Sequence, residues 1–221
     1  CALPIYEARA RGAGSEELGE IREYTQVIIA QTDRLRDLVD QMLGPQRLAT
    51  PAPTNIHYVL ERVLTLLQMQ TRGRVEFKRD YDPSLPELLL DPHSLEQAVL
   101  NIALNGVQAL EEAGVSAPRL TLKTRAVLGA VIGRVHHSTA VSIEIANNGP
   151  EIPEEQREKI FYPLVTTRRD GSGWGLPIAQ SIIGSLRGSI DCQSDRELTR
   201  FRILLPLRGL KAPQGAVTPA T

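Results

Sequence analysis

The chain has 221 residues, enough for one sizeable domain plus a smaller element. Its formal net charge of −1 gives no basic field for nucleic acid, and no apolar run approaches the roughly 18 residues of a membrane span. Two cysteines, Cys1 and Cys192, are too few for a disulfide framework; with no signal peptide in view, the chain reads as cytoplasmic.

The first residue is Cys rather than Met, so the sequence reads as a fragment of a longer protein. Residues 15–43 predict one long helix. Ser15 can cap it, Glu16 and Glu17 suit the positive end of its dipole, and Gly44–Pro45 stops it. Leu18, Ile21, Thr25, Ile28, Thr32, Leu35, Val39 and Met42 keep a 3–4 spacing, which favours a bundle seam over packing on its own domain. Residues 46–54 form a proline-rich linker. Ile56, Val59, Leu60, Val63 and Leu67 then predict a helix to about Gln70, and Val75 and Phe77 a strand. Asp91–Pro92 opens the next helix, with Leu95, Val99, Ile102 and Leu110 towards the core. Strands follow near 119–127 and 140–146, with the pair His136–His137 in the loop between them. A helix near 175–186, strands near 188–194 and 199–205, and a disordered tail over 207–221 complete the chain. Helices alternating with strands imply an α+β fold, a two-layer α/β sandwich.

Three stretches carry candidate chemistry. Asn101 and Asn105 lie one helical turn apart, so their amide oxygens share a face and can hold a hydrated Mg²⁺. Helical asparagines are more often plain surface residues. Asn147–Asn148–Gly149–Pro150–Glu151–Ile152–Pro153 is a tight turn, readable equally as an ordinary turn or as a nucleotide contact. Gly171, Gly173 and Gly175 allow backbone N–H groups to approach phosphates, and the apolar helix that follows would point its amino end at them. The G-x-G-x-G spacing, with no strand leading into it, speaks against a dinucleotide fingerprint. Metal binding by His136–His137 is the weaker reading beside an ordinary surface loop.

This order of boxes resembles the ATP-binding domain of sensor histidine kinases. Tyr24–Ile29, Asp33–Asp40, Leu43–Gly44–Pro45, Asp80–Leu88 and Phe161–Tyr162–Pro163 narrow the resemblance to nitrogen-regulation kinases of the NtrB type, over about residues 17–206. It implies a dimerisation segment at 1–45, the linker at 46–54 and a histidine kinase/gyrase-type ATP-binding domain at 55–206, with ATP and Mg²⁺ as cofactors. Asn105 would be the metal ligand and Asn101 its support. The resemblance gives nucleotide contacts to Asn147, Gly149, Ile152, Thr167, Arg168, Gly171, Gly173, Gly175, Leu176 and Thr199. In an intact kinase the γ-phosphate passes to a histidine and then to an NtrC-type response regulator, under a PII-type signal protein, from a homodimer joined by the helical segment.

The departures from the pattern are specific. Asn147 replaces the usual aspartate, and trading a charged for a neutral hydrogen bond weakens ATP by about tenfold. Glu151 stands where a second glycine is usual, costing about 1–2 kcal/mol if that position needs positive φ. Trp174 stands for a leucine, and Asp195–Arg196–Glu197–Leu198 supplies no glycine to the third box. Asn101 occupies the place of the gyrase-type general-base glutamate, and an amide cannot deprotonate water. The acceptor signature His-Glu-x-x-Asn-Pro matches none of His57, His93, His136 or His137, and residues 1–14 read as a divergent remnant of the helix that would carry it. A non-catalytic, degenerate module for dimerisation and regulator binding is therefore the alternative expectation.

Overall fold

The computed structural model describes Thr25, residues 50–163 and residues 173–207. The helix expected over 15–43 lies outside these residues except at Thr25, which is helical, and so does the tail from 208 onward.

The first strand, β1 (Ala52–Thr54), falls inside the stretch expected as linker. It pairs antiparallel with β3 (Leu88–Leu90), with Pro53 opposite Leu89. Proline lacks a donor but is tolerated in so short an edge strand. Between them come α1 (Ile56–Thr71) and β2 (Glu76–Asp80). The α1 start is set by Asn55, whose side chain accepts from the His57 N–H at 2.9 Å. Its end is set by Arg72 in the left-handed conformation, φ 50°.

The next helix, α2 (Pro92–Glu112), begins as expected: Asp91 accepts from the Ser94 N–H at 2.9 Å and Pro92 takes the first position. Then follow β4 (Arg119–Ile132), β5 (Val135–Asn147), a short α3 (Glu154–Arg157) with a 3₁₀ turn (Lys159–Phe161), α4 (Gly175–Ser185), β6 (Ser189–Ser194) and β7 (Thr199–Pro206). The main sheet runs β2-β4-β5-β7-β6, with β2 parallel to β4 and every other pairing antiparallel.

Register decides which face is buried. Ile143 pairs with Ile203 and with Thr124, and Ile145 with Phe201 and Leu122, so these side chains share one face. That face packs against Leu60, Val63, Leu64 and Leu67 of α1, Leu95, Val99, Ile102 and Leu110 of α2, and Ala179 and Ile183 of α4. The alternate positions, Lys123, Glu144, Arg200 and Arg202, are more exposed. One apolar face covered by helices and one polar face make the two-layer sandwich that the alternation implied.

The expected loop between β4 and β5 is wrong in extent. Both strands run on to a tight turn at Gly133, φ 61°, and His136 and His137 lie on β5 opposite Val131 and Ala130. The alternation is hard to read there because the ribbon extends beyond the flanking strands β2 and β7. Among the described residues no helix is long and apolar enough to cross a membrane.

Candidate functional site

Asn147 ends β5, directly opposite Leu120 on β4 and Thr199 on β7. Residues paired across a ladder share a face, and Leu120 belongs to the helix-covered core, so Asn147 and Thr199 also point under the helices. Asn147 is only 4% exposed, yet no partner for its carboxamide is found among the described residues. Two glycines make room for it. A Cβ at Gly106 on α2 would sit 3.3 Å from Asn147 Oδ1, and one at Gly149 only 2.6 Å from Asn147 Nδ2. The second distance excludes any side chain at 149 unless the carboxamide moves.

The α2 helix connects this position to the glycine loop. The same Cβ at Gly149 would touch Ala109 and Leu110, both at 3.7 Å. Gly175, the first residue of α4, abuts the other end, where an added Cβ would lie 3.9 Å from the Asn101 carbonyl oxygen. Asn101 and Asn105, both half-buried, occupy the stretch between these contacts, about 13 Å of helix. So the expected Asn101, Asn105, Asn147, Gly149 and Gly175 do converge. Thr167, Arg168 and Gly171 lie outside the described residues.

At the head of α4, Gly173 adopts φ 68°, a conformation that favours glycine. Half-buried Trp174 precedes the helix without a capping side-chain hydrogen bond, and the first helical bond runs from the Ile178 N–H to the Trp174 carbonyl at 3.0 Å. The N–H groups of Gly175 and Leu176 therefore have no partner within the helix, as an anion site requires. Pro177 contributes none.

The turn after Asn147 is held by residues that sequence reasoning missed. Ile152 N–H donates to Ser194 Oγ at 2.9 Å, and the Ile152 carbonyl accepts from Arg157 Nε at 3.0 Å. Thr199 Oγ1 lies 2.6 Å from Ser194 Oγ and donates to the Pro150 carbonyl at 3.3 Å. Asn148 reaches the other way, its Oδ1 accepting from the Arg119 N–H at 2.7 Å and its Nδ2 donating to the Ala117 carbonyl at 2.8 Å. Glu151 does not incur the anticipated backbone cost, because the described non-glycine residues with positive φ are Arg72 and Arg187. It ion-pairs with Arg157 at 3.4 Å instead. The missing glycine near 195 is also resolved: Asp195 Oδ1 accepts from the N–H groups of Glu197 and Leu198, both at 2.9 Å, closing the β6–β7 turn. Arg200, first, and then those backbone bonds hold the Asp195 carboxyl down at about 2.

The electrostatics limit the chemistry. Burial pushes the Cys192 thiol up to about 11, so it is no nucleophile at neutral pH. Among the described residues no group of three or more His, Cys, Asp or Glu can hold a metal. A magnesium ion expected here would be held by the Asn105 amide, with Asn101 as its support, the sparse protein ligation that this ion commonly takes.

Residues 90–209, just over half of the chain, match the family described as histidine kinase-, DNA gyrase B-, and HSP90-like ATPase. A sensory histidine kinase/phosphatase NtrB of Vibrio alginolyticus is 43% identical over 189 residues, covering 85% of this chain and 53% of that protein. Its counterpart from Escherichia coli O157:H7 is 44% identical over 186 residues, 84% of this chain and 52% of that one. The chain thus spans about half the length of the curated relatives it matches. Among solved structures, full-length ShkA in complex with AMPPNP superposes with a TM-score of 0.67 at 25% identity, covering 88% of this chain and 40% of that one. The mycobacterial sensor histidine kinase MprB, at 22% identity and a TM-score of 0.58, covers 72% of this chain and 98% of its own, and shares the fold. Sheet order, helix layer and family match agree: the chain belongs to the histidine kinase-, DNA gyrase B-, and HSP90-like ATPases.

Proposed function

We propose that this chain is the ATP-binding catalytic portion of a cytoplasmic sensor histidine kinase of nitrogen regulation. The observation that carries the reading is the Asn147 carboxamide, buried without a partner between two glycines. With no hydrogen-bond partner in the protein, the carboxamide is left to a ligand, and the amino group of adenine is a complementary donor for its oxygen. Gly149 and Ile152 frame the base. Asn101 and Asn105 flank the phosphates, with Asn105 the metal ligand. Thr167, Arg168, Gly171, Gly173, Gly175 and Leu176 belong to the phosphate side, where the first N–H groups of α4 have no partner within the helix. Bound Mg²⁺ would neutralise phosphate charge. The chain's own residues bind, orient and shield the nucleotide, and with an amide at Asn101 they supply no base to activate water. ATP is thereby spared for transfer of its γ-phosphate to a histidine, and from there to an NtrC-type response regulator. The helical segment over residues 1–45 would join a homodimer and a PII-type protein would give the regulatory input, as the resemblance to NtrB-type kinases implies.

The test has two stages. Calorimetry with Mg-ATP is expected to show binding, and the sole tryptophan, Trp174 at the head of α4, should shift its emission on saturation. A separate fragment bearing a His-Glu-x-x-Asn-Pro helix should then acquire acid-labile, base-stable label from γ-labelled ATP. Absence of any nucleotide binding would leave the non-catalytic module as the reading. Binding without transfer would confine the chain to nucleotide recognition.

A further inference from the structure

We infer that Ser194 is a positioning residue for the base-binding turn, acting with Thr199 through a directed pair of hydroxyls; this rests on the reading that Asn147 takes the base. The two residues are direct partners across the β6–β7 ladder, and Thr199 is in turn the partner of Asn147 across β7–β5. Ser194, Thr199 and Asn147 thus form one row on the helix-facing side of the sheet, 6%, 3% and 4% exposed. The segment after Asn147 folds back over this row, and its backbone polar groups meet the hydroxyls there.

Donor and acceptor counting fixes the direction. Each hydroxyl has one proton to give. Thr199 Oγ1 gives its proton to the Pro150 carbonyl, so the proton between the two hydroxyls comes from Ser194, whose Oγ accepts the Ile152 N–H. This arrangement satisfies every group. Reversing the Ser194–Thr199 bond would leave the Pro150 carbonyl without the threonine proton and give the serine proton no partner. The Ile152 carbonyl is held independently by Arg157. The turn is therefore located by its N–H on one side and its carbonyl on the other, and its distance from Asn147 is set by the β6–β7 hairpin. Ser194 and Thr199 spend their protons on the protein, so their role is to hold the turn; the base meets Asn147.

Ser194→Ala removes the acceptor for Ile152 and the donor to Thr199. ADP binding should weaken by about tenfold. Thr199→Val should weaken it comparably, and the double variant should be little worse than either single one because both break the same chain. Thr199→Ser, which restores the hydroxyl, should recover most of the affinity. Inorganic tripolyphosphate, which engages only the phosphate side, should bind Ser194→Ala and the parent protein equally. Amide exchange at Ile152 should accelerate in Ser194→Ala. Unchanged ADP affinity in Ser194→Ala would overturn the assignment, as would parallel losses of ADP and tripolyphosphate, which would mean general loosening of the domain. If the parent protein itself fails to bind ADP, the nucleotide reading falls first and takes this one with it. The two failures are thus distinguishable.

Discussion

Thr124 and Asn147 sit on neighbouring strands, point to the same face and are both nearly inaccessible, yet they are treated oppositely. Thr124, 0% exposed, takes the Asp82 N–H at 3.0 Å and meets His57 Nε2 at 3.0 Å. Around it, His57 stacks on Tyr81 at 4.9 Å, Tyr81 donates to Glu61 at 3.0 Å, and Arg79 grips the same Glu61 at 2.8 Å. The buried Thr124 hydroxyl and the Tyr81 hydroxyl both have their partners there. Asn147 has none among the described residues, and Gly106 and Gly149 let the backbone pack close against its carboxamide. A carboxamide that no protein group engages is available to a ligand. On the proposed reading, the difference separates structural polarity from recognition polarity within one sheet.

The largest effect expected from this contrast is at Thr124. Thr124→Val keeps the shape but orphans the Asp82 N–H and the His57 acceptor, and should lower unfolding free energy by about 2 kcal/mol. Nucleotide affinity should not change. Denaturation midpoints and calorimetry together check this, and a loss of ATP affinity without loss of stability would erase the distinction. At the other pole, Asn147→Ala should weaken ATP by about tenfold while altering stability by less than about 1 kcal/mol, since no internal bond is broken. Gly149→Ala should reproduce the binding loss, because its Cβ would displace the carboxamide. A strongly destabilised Asn147→Ala would show that the amide is structural after all.

Much of the scaffold was legible because it depends on local rules. The caps at Asn55 and Asp91, the apolar stripes of α1 and α2 and the alternation in β7 can all be read within a few residues. The pairing of β1 with β3 was not legible, since a proline in a short edge strand looks like a linker. Of the candidate site residues, Asn101, Asn105, Gly173 and Gly175 stand out by type and spacing, whereas Asn147 and Gly149 take their expected role from the family resemblance. Ser194 does not stand out. Its role depends on a hairpin register and on a turn more than forty positions away in the chain, and a serine near a strand end carries no signal of either. The Glu151 expectation failed for a related reason: φ belongs to the folded turn and not to the residue type.

The smallest effect separates the two regions by pH. Thr124 accepts from Asp82 and has one proton left to give; in the neutral tautomer with Nε2 unprotonated, that proton serves His57 Nε2. Burial lowers the His57 pKa, while the charges of Asp82 and Glu61 pull it back up. The remaining charges close by are already engaged: Arg79 with Glu61, and Arg125 with Asp80 and the Thr124 carbonyl. The sign follows from proton counting. Below the ordinary histidine value of about 6.5 the unfolded chain takes up a proton that the folded protein resists, so stability falls as pH drops through that value. The fall levels off once the folded state also protonates. His57→Gln keeps an acceptor for Thr124 without a titrating group, so the fall in melting temperature from neutral pH towards the folded-state pKa should be shallower than in the parent. Asn147 carries no charge to titrate, so ADP affinity in the two proteins should change with pH in parallel. Equal melting slopes would show that His57 does not resist protonation. A nucleotide affinity that followed the His57 titration would mean that the two regions are coupled through the shared β4–β5 ladder.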